Sequence, residues 1–242
     1  SLASSTDFGL VEQDWTVECF AYIKGLTGGY GRLWYLEGDD TNIDGVYFSN
    51  THMSMGTTGV WSVGDGTGGE YFRNKWMHVA VCHDSTNIRM YIDGIEALTS
   101  TNNFKISAAK TLTLMSTNNG SYSGTGQGYI SNFRIVNGTA LYTSNFTPPS
   151  APLTNVTNTK LLFCQSATSA TAATVTPTTP VSTSATASSF SPFNSDRKPG
   201  TRGLFGGGQH IHGNSISNVI DYVNISSQGK ALDFGDLLVA RR

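Results

Sequence analysis

Acidic side chains are the first candidates for catalysis in this sequence. Retaining enzymes that hydrolyse glycosidic bonds use two carboxylates about 5 to 5.5 Å apart, usually on alternate residues of one strand. The sequence contains five glutamates, and no two of them alternate along one strand-like run: Glu12, Glu18, Glu37, Glu70 and Glu96. We therefore expect no hydrolase, and no residue is predicted to be catalytic.

The acid-rich stretch "EGDDTNIDG" is the first candidate for a metal site. Calcium prefers several carboxylate and carbonyl oxygens from one turn, and Asp39, Asp40 and Asp44 would supply the carboxylates. The alternative is a solvated hairpin tip, since Asp, Asn and Gly are common in turns for conformational reasons. Calcium is thus one of two interpretations, and no other cofactor is predicted.

His210 and His212 are the second candidate for a metal site. They are separated by one residue in a glycine-rich stretch, and alternate residues of an extended strand point to the same side. Three chains around an axis would bring six imidazoles together. The alternative is a pair of exposed loop histidines.

Aromatic side chains in polar loops are the candidates for sugar binding, because a ring that stacks on a sugar must be exposed. Five aromatic residues in or beside Gly-, Ser- and Asn-rich stretches are predicted ligand-binding residues: Trp34, Tyr35, Trp61, Tyr71 and Tyr122. Trp34 and Trp61 have burial in the core as their alternative. Trp15 and Trp76 open strand-like runs and are predicted to lie in the core.

The composition indicates a β protein with polar loops. Charged residues make up 13% of the 242 residues, about half the usual share, and Ser, Thr, Asn and Gly supply the polarity. These four residues are poor helix formers. The net charge of -2 gives no basic surface for nucleic acid, and no apolar run is long enough to span a membrane. Cys19, Cys82 and Cys164 lie in apolar runs and are predicted to be buried free thiols.

Alternating apolar residues predict strands in quick succession. Residues 15–23 alternate with period two, with one apolar face and one partly aromatic face, and Asp93-Gly94 is a hairpin signal. Further strand-like runs are "KWMHVAVCHD", "NIRMYIDGIEAL", "KTLTLMS", "GYISNFRIV" and "KLLFCQS". The predicted fold is all-β: an antiparallel two-sheet jelly-roll sandwich with a short C-terminal β segment.

One stretch, "FRIVNGTALYTSNFTPPSAPL", combines a strand with a proline-rich run. Phe133 and Ile135 are predicted to point into the sandwich, and Asn137-Gly138 to turn the chain. Residues 140–153, "ALYTSNFTPPSAPL", then form a semi-rigid strap, because proline restricts the backbone. We expect this strap to hold Tyr142 and Phe146 against the domain.

Three ordered segments resemble a known family: "TVECFAYIK", "KWMHVAVCHDSTNIRMYIDG" and "GYISNFRIVNGTALYTSNFTPPSAPL" followed by "TKLLFCQS". Together they are similar to laminin-G-like, concanavalin A-type jelly-roll domains, in the version found in virion structural proteins of marine bacteriophages and cyanophages. The resemblance implies a sandwich over residues 1–195, with Ser188–Phe193 as its closing strand. The Ser/Thr/Ala-rich tract before it then becomes a degenerate hairpin, whereas its composition alone indicates a linker. Such domains usually open with one more strand, so a preceding segment or a neighbouring chain is expected to supply it.

The C-terminal part changes composition again. Residues 196–202 are expected to be a linker. Residues 203–242 resemble a single kelch-like repeat of phage proteins, or serve as a docking tail, because one repeat cannot bury its own apolar face.

The resemblance implies a non-enzymatic virion protein on the exposed surface of a phage particle, in a tail fibre, head fibre or capsid decoration. Many copies of a weak lectin-like module would gain avidity for host surface polysaccharide. The alternative is a purely structural cementing protein that binds no sugar. The expected partners are other virion proteins and further copies of this chain, with a trimer fitting the histidine pair, and neither nucleic acid nor membrane.

Overall fold

The computed structural model places most of the chain in β-structure. It describes residues 1–11, 13–27, 31–37, 45–49, 52–55, 61–63, 72–101, 105–106, 110–115, 125–193, 202–206, 217–224 and 232–241. The chain divides into two compact units, Ser1–Phe193 and Asn194–Arg242. No helix within the described ranges is long and apolar enough to cross a membrane.

The first unit contains fifteen of the described strands. They are β1 (Leu2–Ser5), β2 (Leu10–Val11), β3 (Trp15–Thr27), β4 (Gly31–Glu37), β5 (Gly45–Phe48), β6 (Met53–Met55), β7 (Trp61–Val63), β8 (Trp76–His83), β9 (Ile88–Ile92), β10 (Ile95–Ser100), β11 (Lys105–Ile106), β12 (Lys110–Leu114), β13 (Thr125–Asn137), β14 (Thr159–Phe163) and β15 (Ala173–Val175). A 3-10 turn, Thr6–Phe8, lies between β1 and β2.

Two antiparallel sheets form a sandwich. The smaller sheet has the order β1-β12-β4-β5-β6-β7, and the larger has the order β10-β9-β8-β3-β13-β14-β15. A short pair, β11 and β2, stands apart from both. The predicted all-β, two-sheet sandwich is confirmed, because period-two sequences bury one face of each sheet against the other.

The main core lies between the two sheets. β3 contributes Trp15, Val17, Cys19, Ala21 and Ile23, each at most 1% exposed. The opposite side of the core comes from the smaller sheet through Leu36, Val46, Phe48, Met53 and Met55. The predicted core positions of Trp15, Phe133 and Ile135 are confirmed.

Breaks in register decide which side chains face the core. The pairing of β4 with β5 shifts between Arg32 and Trp34, so Leu33 and Trp34 are both part of the core. The pairing of β13 with β3 shifts between Ser131 and Arg134, where Asn132 has a φ of 54°. An extra residue in a strand reverses the alternation after it. Phe133 therefore points into the core and Arg134 to the outer face of the larger sheet.

The strap, residues 140–153, covers the outer face of the larger sheet. Tyr142 and Phe146 stack on each other with centroids 3.6 Å apart, and both pack on Ala80, Cys82 and Tyr91. The predicted position of these two rings is confirmed. The larger sheet is consequently covered on both faces.

The Ser/Thr/Ala-rich tract is bound to the sandwich along part of its length. β15 pairs with β14, and further along the N-terminal amine of Ser1 donates to the Val181 carbonyl at 2.7 Å. In return, the Val181 amide donates to the Ser1 carbonyl. Ser188–Phe193 was expected to be a closing strand, and this is wrong, because the segment forms bends and a turn. The segment packs on the sandwich through individual aromatic side chains, for example Phe193 against Phe20.

The second unit is described over a three-stranded antiparallel sheet. Its strands are β16 (Arg202–Gly206), β17 (Ser217–Asn224) and β18 (Leu232–Arg241), in that order. Leu204, Tyr222 and Leu232 lie in one row across the three strands. His210 and His212 lie outside the described residues, and their role as metal ligands stays a prediction.

Gly94 is required where the strap approaches the β9–β10 hairpin. Its φ is +77°, and a Cβ there would lie 1.9 Å from the carbonyl oxygen of Phe146. We expect Gly94→Ala to lower the free energy of unfolding by about 1–3 kcal/mol, because a side chain is strained in this conformation and the strap must move. Urea denaturation at neutral pH measures the change. Gly25→Ala is the matched control, since its Cβ would make an ordinary 3.6 Å contact and the change should be about 0.5 kcal/mol or less. Equal losses in both variants would contradict the expected role of Gly94.

Candidate functional site

A guanidinium between two tyrosines lies on the outer face of the smaller sheet. The guanidinium carbon of Arg32 is 4.1 Å from the ring centroid of Tyr35 and 5.2 Å from that of Tyr47. We call Arg32, Tyr35, Tyr47, Ser54 and Thr113 the arginine–tyrosine cluster. Each of its five side chains is at most 9% exposed.

The register of the smaller sheet explains why these residues meet. Arg32 of β4 pairs with Tyr47 of β5, and Tyr47 pairs with Ser54 of β6, so the three lie in one row. Tyr35 pairs with Thr113 of β12 on the other side of β4. Residues in one cross-strand row share a face of the sheet. The break in register beside Arg32 brings Tyr35 to that same face.

The arginine–tyrosine cluster combines three kinds of binding group. The planar guanidinium of Arg32 offers several donors in a rigid fork and stacks on aromatic rings. The phenols and the hydroxyls of Ser54 and Thr113 can both donate and accept hydrogen bonds. Because these side chains are buried, such a set can fix the shape of this face of the sheet by stacking and directional hydrogen bonds.

A second buried polar cluster lies beneath the strap on the larger sheet. The Nε–H of Arg134 donates to Oε1 of Glu18 at 2.9 Å. Nε2 of His78 is 2.9 Å from Oε2 of Glu18, and the Tyr142 hydroxyl donates to the same oxygen at 3.0 Å. We call these four residues the glutamate clasp. Because a carboxylate oxygen only accepts hydrogen bonds, Nε2 of His78 is the protonated nitrogen and donates to Glu18.

Glu18 and Arg134 carry opposite charges in the glutamate clasp. Burial by itself raises the pKa of Glu18, but the hydrogen bond from His78 and the guanidinium of Arg134 outweigh it and hold that pKa below its ordinary value. Burial, followed by the nearby Glu18 carboxylate, raises the pKa of the Tyr142 hydroxyl. At neutral pH the anionic Glu18 therefore faces the cationic Arg134 and the neutral Tyr142.

The glutamate clasp holds the strap, and its carboxylate is closed off from solvent. The Glu18 side chain is 0% exposed and that of Arg134 is 6% exposed. Nη1 of Arg134 also donates to the carbonyl of Thr154, the residue that follows the strap. A group that no substrate can reach does no catalysis, so we assign the glutamate clasp a structural role.

The structure places Trp34 and Tyr35, two neighbouring aromatic candidates on β4, on opposite faces of the smaller sheet. Trp34 is 1% exposed and belongs to the core between the sheets, so its predicted role as an exposed stacking ring is corrected. Tyr35 is 2% exposed, which also rules out an open stacking platform, but it lies in the arginine–tyrosine cluster. Trp61 begins β7 and pairs with Met55.

The remaining predicted site residues lie outside the described residues. They are Tyr71, Tyr122, Asp39, Asp40 and Asp44. Ligand binding by the two tyrosines and calcium binding by the three aspartates stay predictions. Within the described ranges, no group of three or more His, Cys, Asp or Glu side chains could hold a metal ion.

A partly buried aromatic cluster near one end of the larger sheet was not predicted. Trp76 lies 5.7 Å from Tyr22 and 5.2 Å from Phe190 between ring centroids, and Phe190 lies 4.7 Å from Tyr129. Lys24 donates to the Tyr129 hydroxyl at 3.0 Å. Trp76 was expected in the core and instead helps to dock Phe190 on the outer face. The partly aromatic second face of residues 15–23 was the available signal.

The thiols are placed largely as predicted. Cys19 and Cys82 are free and buried, and Cys164 is free and partly buried. Burial raises the pKa of Cys82 to about 12, although Thr16 partly offsets this with a hydrogen bond. Cys19 and Cys82 are therefore unreactive while they remain covered.

We expect Arg134→Met to lower the free energy of unfolding by about 3–5 kcal/mol, because it leaves the buried Glu18 carboxylate without its counter-charge. Chemical denaturation at neutral pH measures the loss. Lys160→Met is the control, since Lys160 pairs with Asp7 at the surface with both side chains more than one third exposed. That change should cost less than about 1 kcal/mol. A small decrease in the free energy of unfolding for Arg134→Met would contradict this expectation and show that other groups compensate the Glu18 charge.

Comparison with known proteins finds a family model that matches the sandwich. The family model of the concanavalin A-like lectin/glucanases superfamily, Laminin_G_3, matches residues 1–143. No curated protein matches the chain in sequence.

Solved structures resemble the chain at low identity. A proposed carbohydrate-binding protein from Bacteroides ovatus is 12% identical, with a TM-score of 0.48 over 67% of this chain and 48% of that protein. A heptameric SAP-like pentraxin from Limulus polyphemus is 14% identical, with a TM-score of 0.40 over 59% of this chain and 68% of the pentraxin. The alginate lyase AlgAT5 of polysaccharide lyase family 7 is 16% identical, with a TM-score of 0.41 over 55% of this chain and 62% of the lyase.

The chain spans about half the length of the Bacteroides ovatus protein. The family model, in contrast, covers more than half of the 242 residues and includes β1 to β13 of the sandwich. The chain belongs to the Laminin_G_3 family of the concanavalin A-like lectin/glucanases superfamily.

Proposed function

We propose that this chain is a non-enzymatic carbohydrate-binding module and that its sugar site lies on the outer face of the smaller sheet, built around the buried arginine–tyrosine cluster. The observation that carries the proposal is the guanidinium of Arg32 fixed between the rings of Tyr35 and Tyr47 on one face of the smaller sheet. Membership of a superfamily named for lectins and glucanases supports a carbohydrate ligand.

The chemistry of the cluster suits a sugar better than an apolar ligand. Sugars present adjacent hydroxyls, and a site built to hydrogen-bond hydroxyls rejects ligands that lack them. Arg32, Ser54 and Thr113 lie on three strands of one sheet, where these buried polar groups would position the groups that contact the sugar. Regular strands fix such groups better than loops do.

The location of the buried acid supports binding rather than hydrolysis. Glu18 is buried, and the glutamate clasp and the strap enclose it on the larger sheet. A general acid must reach the bond that it protonates. Glu18 is therefore unsuited to this task.

We further propose that the module acts on the exposed surface of a phage virion, in a tail fibre, head fibre or capsid decoration. Other virion proteins and further copies of the chain, for example in a trimer, are its proposed partners, and host surface polysaccharide is its proposed ligand. Multiple copies would convert weak single-site binding into attachment by raising the effective concentration.

Glycan-array binding of the purified chain tests the proposed function. We expect selective binding to a subset of polysaccharides. Arg32→Lys should weaken it by about tenfold or more, because lysine keeps the charge but loses the planar fork. Tyr47→Phe, which removes one hydroxyl, should weaken binding less. Affinity is measured by titration calorimetry with the best polysaccharide.

Tyr129→Phe is the matched control, because it removes a phenol hydroxyl on the larger sheet, away from the cluster. Thermal denaturation of each variant confirms that it is folded. Flat binding by the wild-type chain across all glycans would overturn the proposed function and favour a purely structural virion component.

A further inference from the structure

The strap is fastened to the larger sheet by polar contacts around one carboxylate. The Tyr142 hydroxyl donates to Glu18, and Arg134 links Glu18 to the carbonyl of Thr154. Near the same end, the Leu153 amide donates to Oδ1 of Asn132 at 2.8 Å. Glu18 thus joins the beginning of the strap to the residue that follows it.

The strap also meets the β9–β10 hairpin at its middle. The Phe146 amide donates to the Gly94 carbonyl at 2.9 Å, and the Glu96 amide donates to Oδ1 of Asn145 at 2.8 Å. These are neutral backbone and amide contacts. They contribute about half as much as hydrogen bonds to an ionised group.

The strap packs on the outer face of the larger sheet and, among the described residues, contributes no side chain to the core between the sheets. Tyr142 and Phe146 belong instead to a small cluster with Ala80, Cys82 and Tyr91 on the outer face. The strap can therefore leave the outer face while the two sheets stay packed, because different side chains hold each layer.

We propose that the strap is a releasable cover, that the glutamate clasp is its fastening, and that acid opens it before the sandwich unfolds. Neutralising Glu18 removes the charge that Arg134 compensates and weakens the acceptor that Tyr142 uses. Opening uncovers an apolar patch that includes Phe20, Leu162 and Tyr91.

The groups that face Glu18 determine the direction of this pH dependence. They are His78 from β8, Arg134 from β13 and Tyr142 from the strap. The pKa of Glu18 is lower in the folded chain than its ordinary value. Its contribution is therefore complete above about pH 5 and is lost as the pH falls through the folded pKa. We therefore expect the strap to open at a pH below the ordinary range of carboxyl pKa values.

Cys82 provides a reporter for strap opening, and Cys19 provides its internal control. Cys82 lies under the strap, where its sulfur is 3.4 Å from the hydroxyl of Thr16 and it belongs to the cluster on which Tyr142 and Phe146 pack. Cys19 is 1% exposed between the two sheets. Opening of the strap exposes Cys82 alone, whereas unfolding of the sandwich exposes both.

The test labels the full chain with a pyridyl disulfide that reacts in acid, and maps the labelled thiols by mass spectrometry. As the pH of the wild-type chain falls below about 4, we expect Cys82 to be labelled before Cys19. Glu18→Gln should label Cys82 at neutral pH about tenfold faster or more than the wild type, because a hydrogen bond to a charged group is lost. Hydrogen exchange of residues 140–153 should rise in parallel.

If Glu18→Gln folds poorly, Tyr142→Phe provides a second test of the clasp, and Asp7→Asn provides its control. Tyr142→Phe keeps the ring stack and removes only the hydroxyl that reaches Glu18, so Cys82 labelling should rise by a smaller factor. Asp7→Asn removes a carboxylate from a surface ion pair and should leave Cys82 labelling unchanged. Labelling of Cys82 and Cys19 at equal rates in acid and in both clasp variants would overturn the proposal.

Discussion

The ion pair of Glu18 and Arg134 is the interaction on which the outer half of the first unit depends. A carboxylate buried on the outer face of a sheet is unfavourable unless it is paired and hydrogen-bonded. Here Arg134, His78 and Tyr142 satisfy it, and Tyr142 belongs to the strap. The charge therefore ties a segment without regular secondary structure to the sheet beneath it.

This arrangement makes the two sheets unequal. The larger sheet carries the core on one face and the strap on the other, so it is covered on both sides. The smaller sheet carries the arginine–tyrosine cluster on its outer face, with its members spread over four neighbouring strands. The larger sheet thus has its buried polar cluster beneath the strap, and the smaller sheet has the arginine–tyrosine cluster on its outer face. This division underlies the proposal of a sugar-binding module.

Prediction from sequence succeeded where local alternation was unbroken and failed where the register shifts. Residues 15–23 alternate without interruption, and their core positions were predicted correctly. Trp34 was predicted to bind ligand, but the register break beside Arg32 buries it between the sheets. A one-residue shift moves every later side chain to the opposite face, and the sequence carries no clear mark of it. The same difficulty hid Arg32 and Tyr47, because cross-strand neighbours are set by pairing.

The sequence by itself determined the all-β class, the core face of β3, the Asp93-Gly94 hairpin and the strap with its two anchoring rings. These features depend on period-two patterns, turn residues and prolines, which act within a few residues of one another. Only the tertiary structure decided that Glu18 meets His78, Arg134 and Tyr142. These three residues are 60 to 124 positions away from Glu18 along the chain. It also decided that Arg32 lies between two tyrosines, because strand order and register bring distant residues together and local propensity does not encode them.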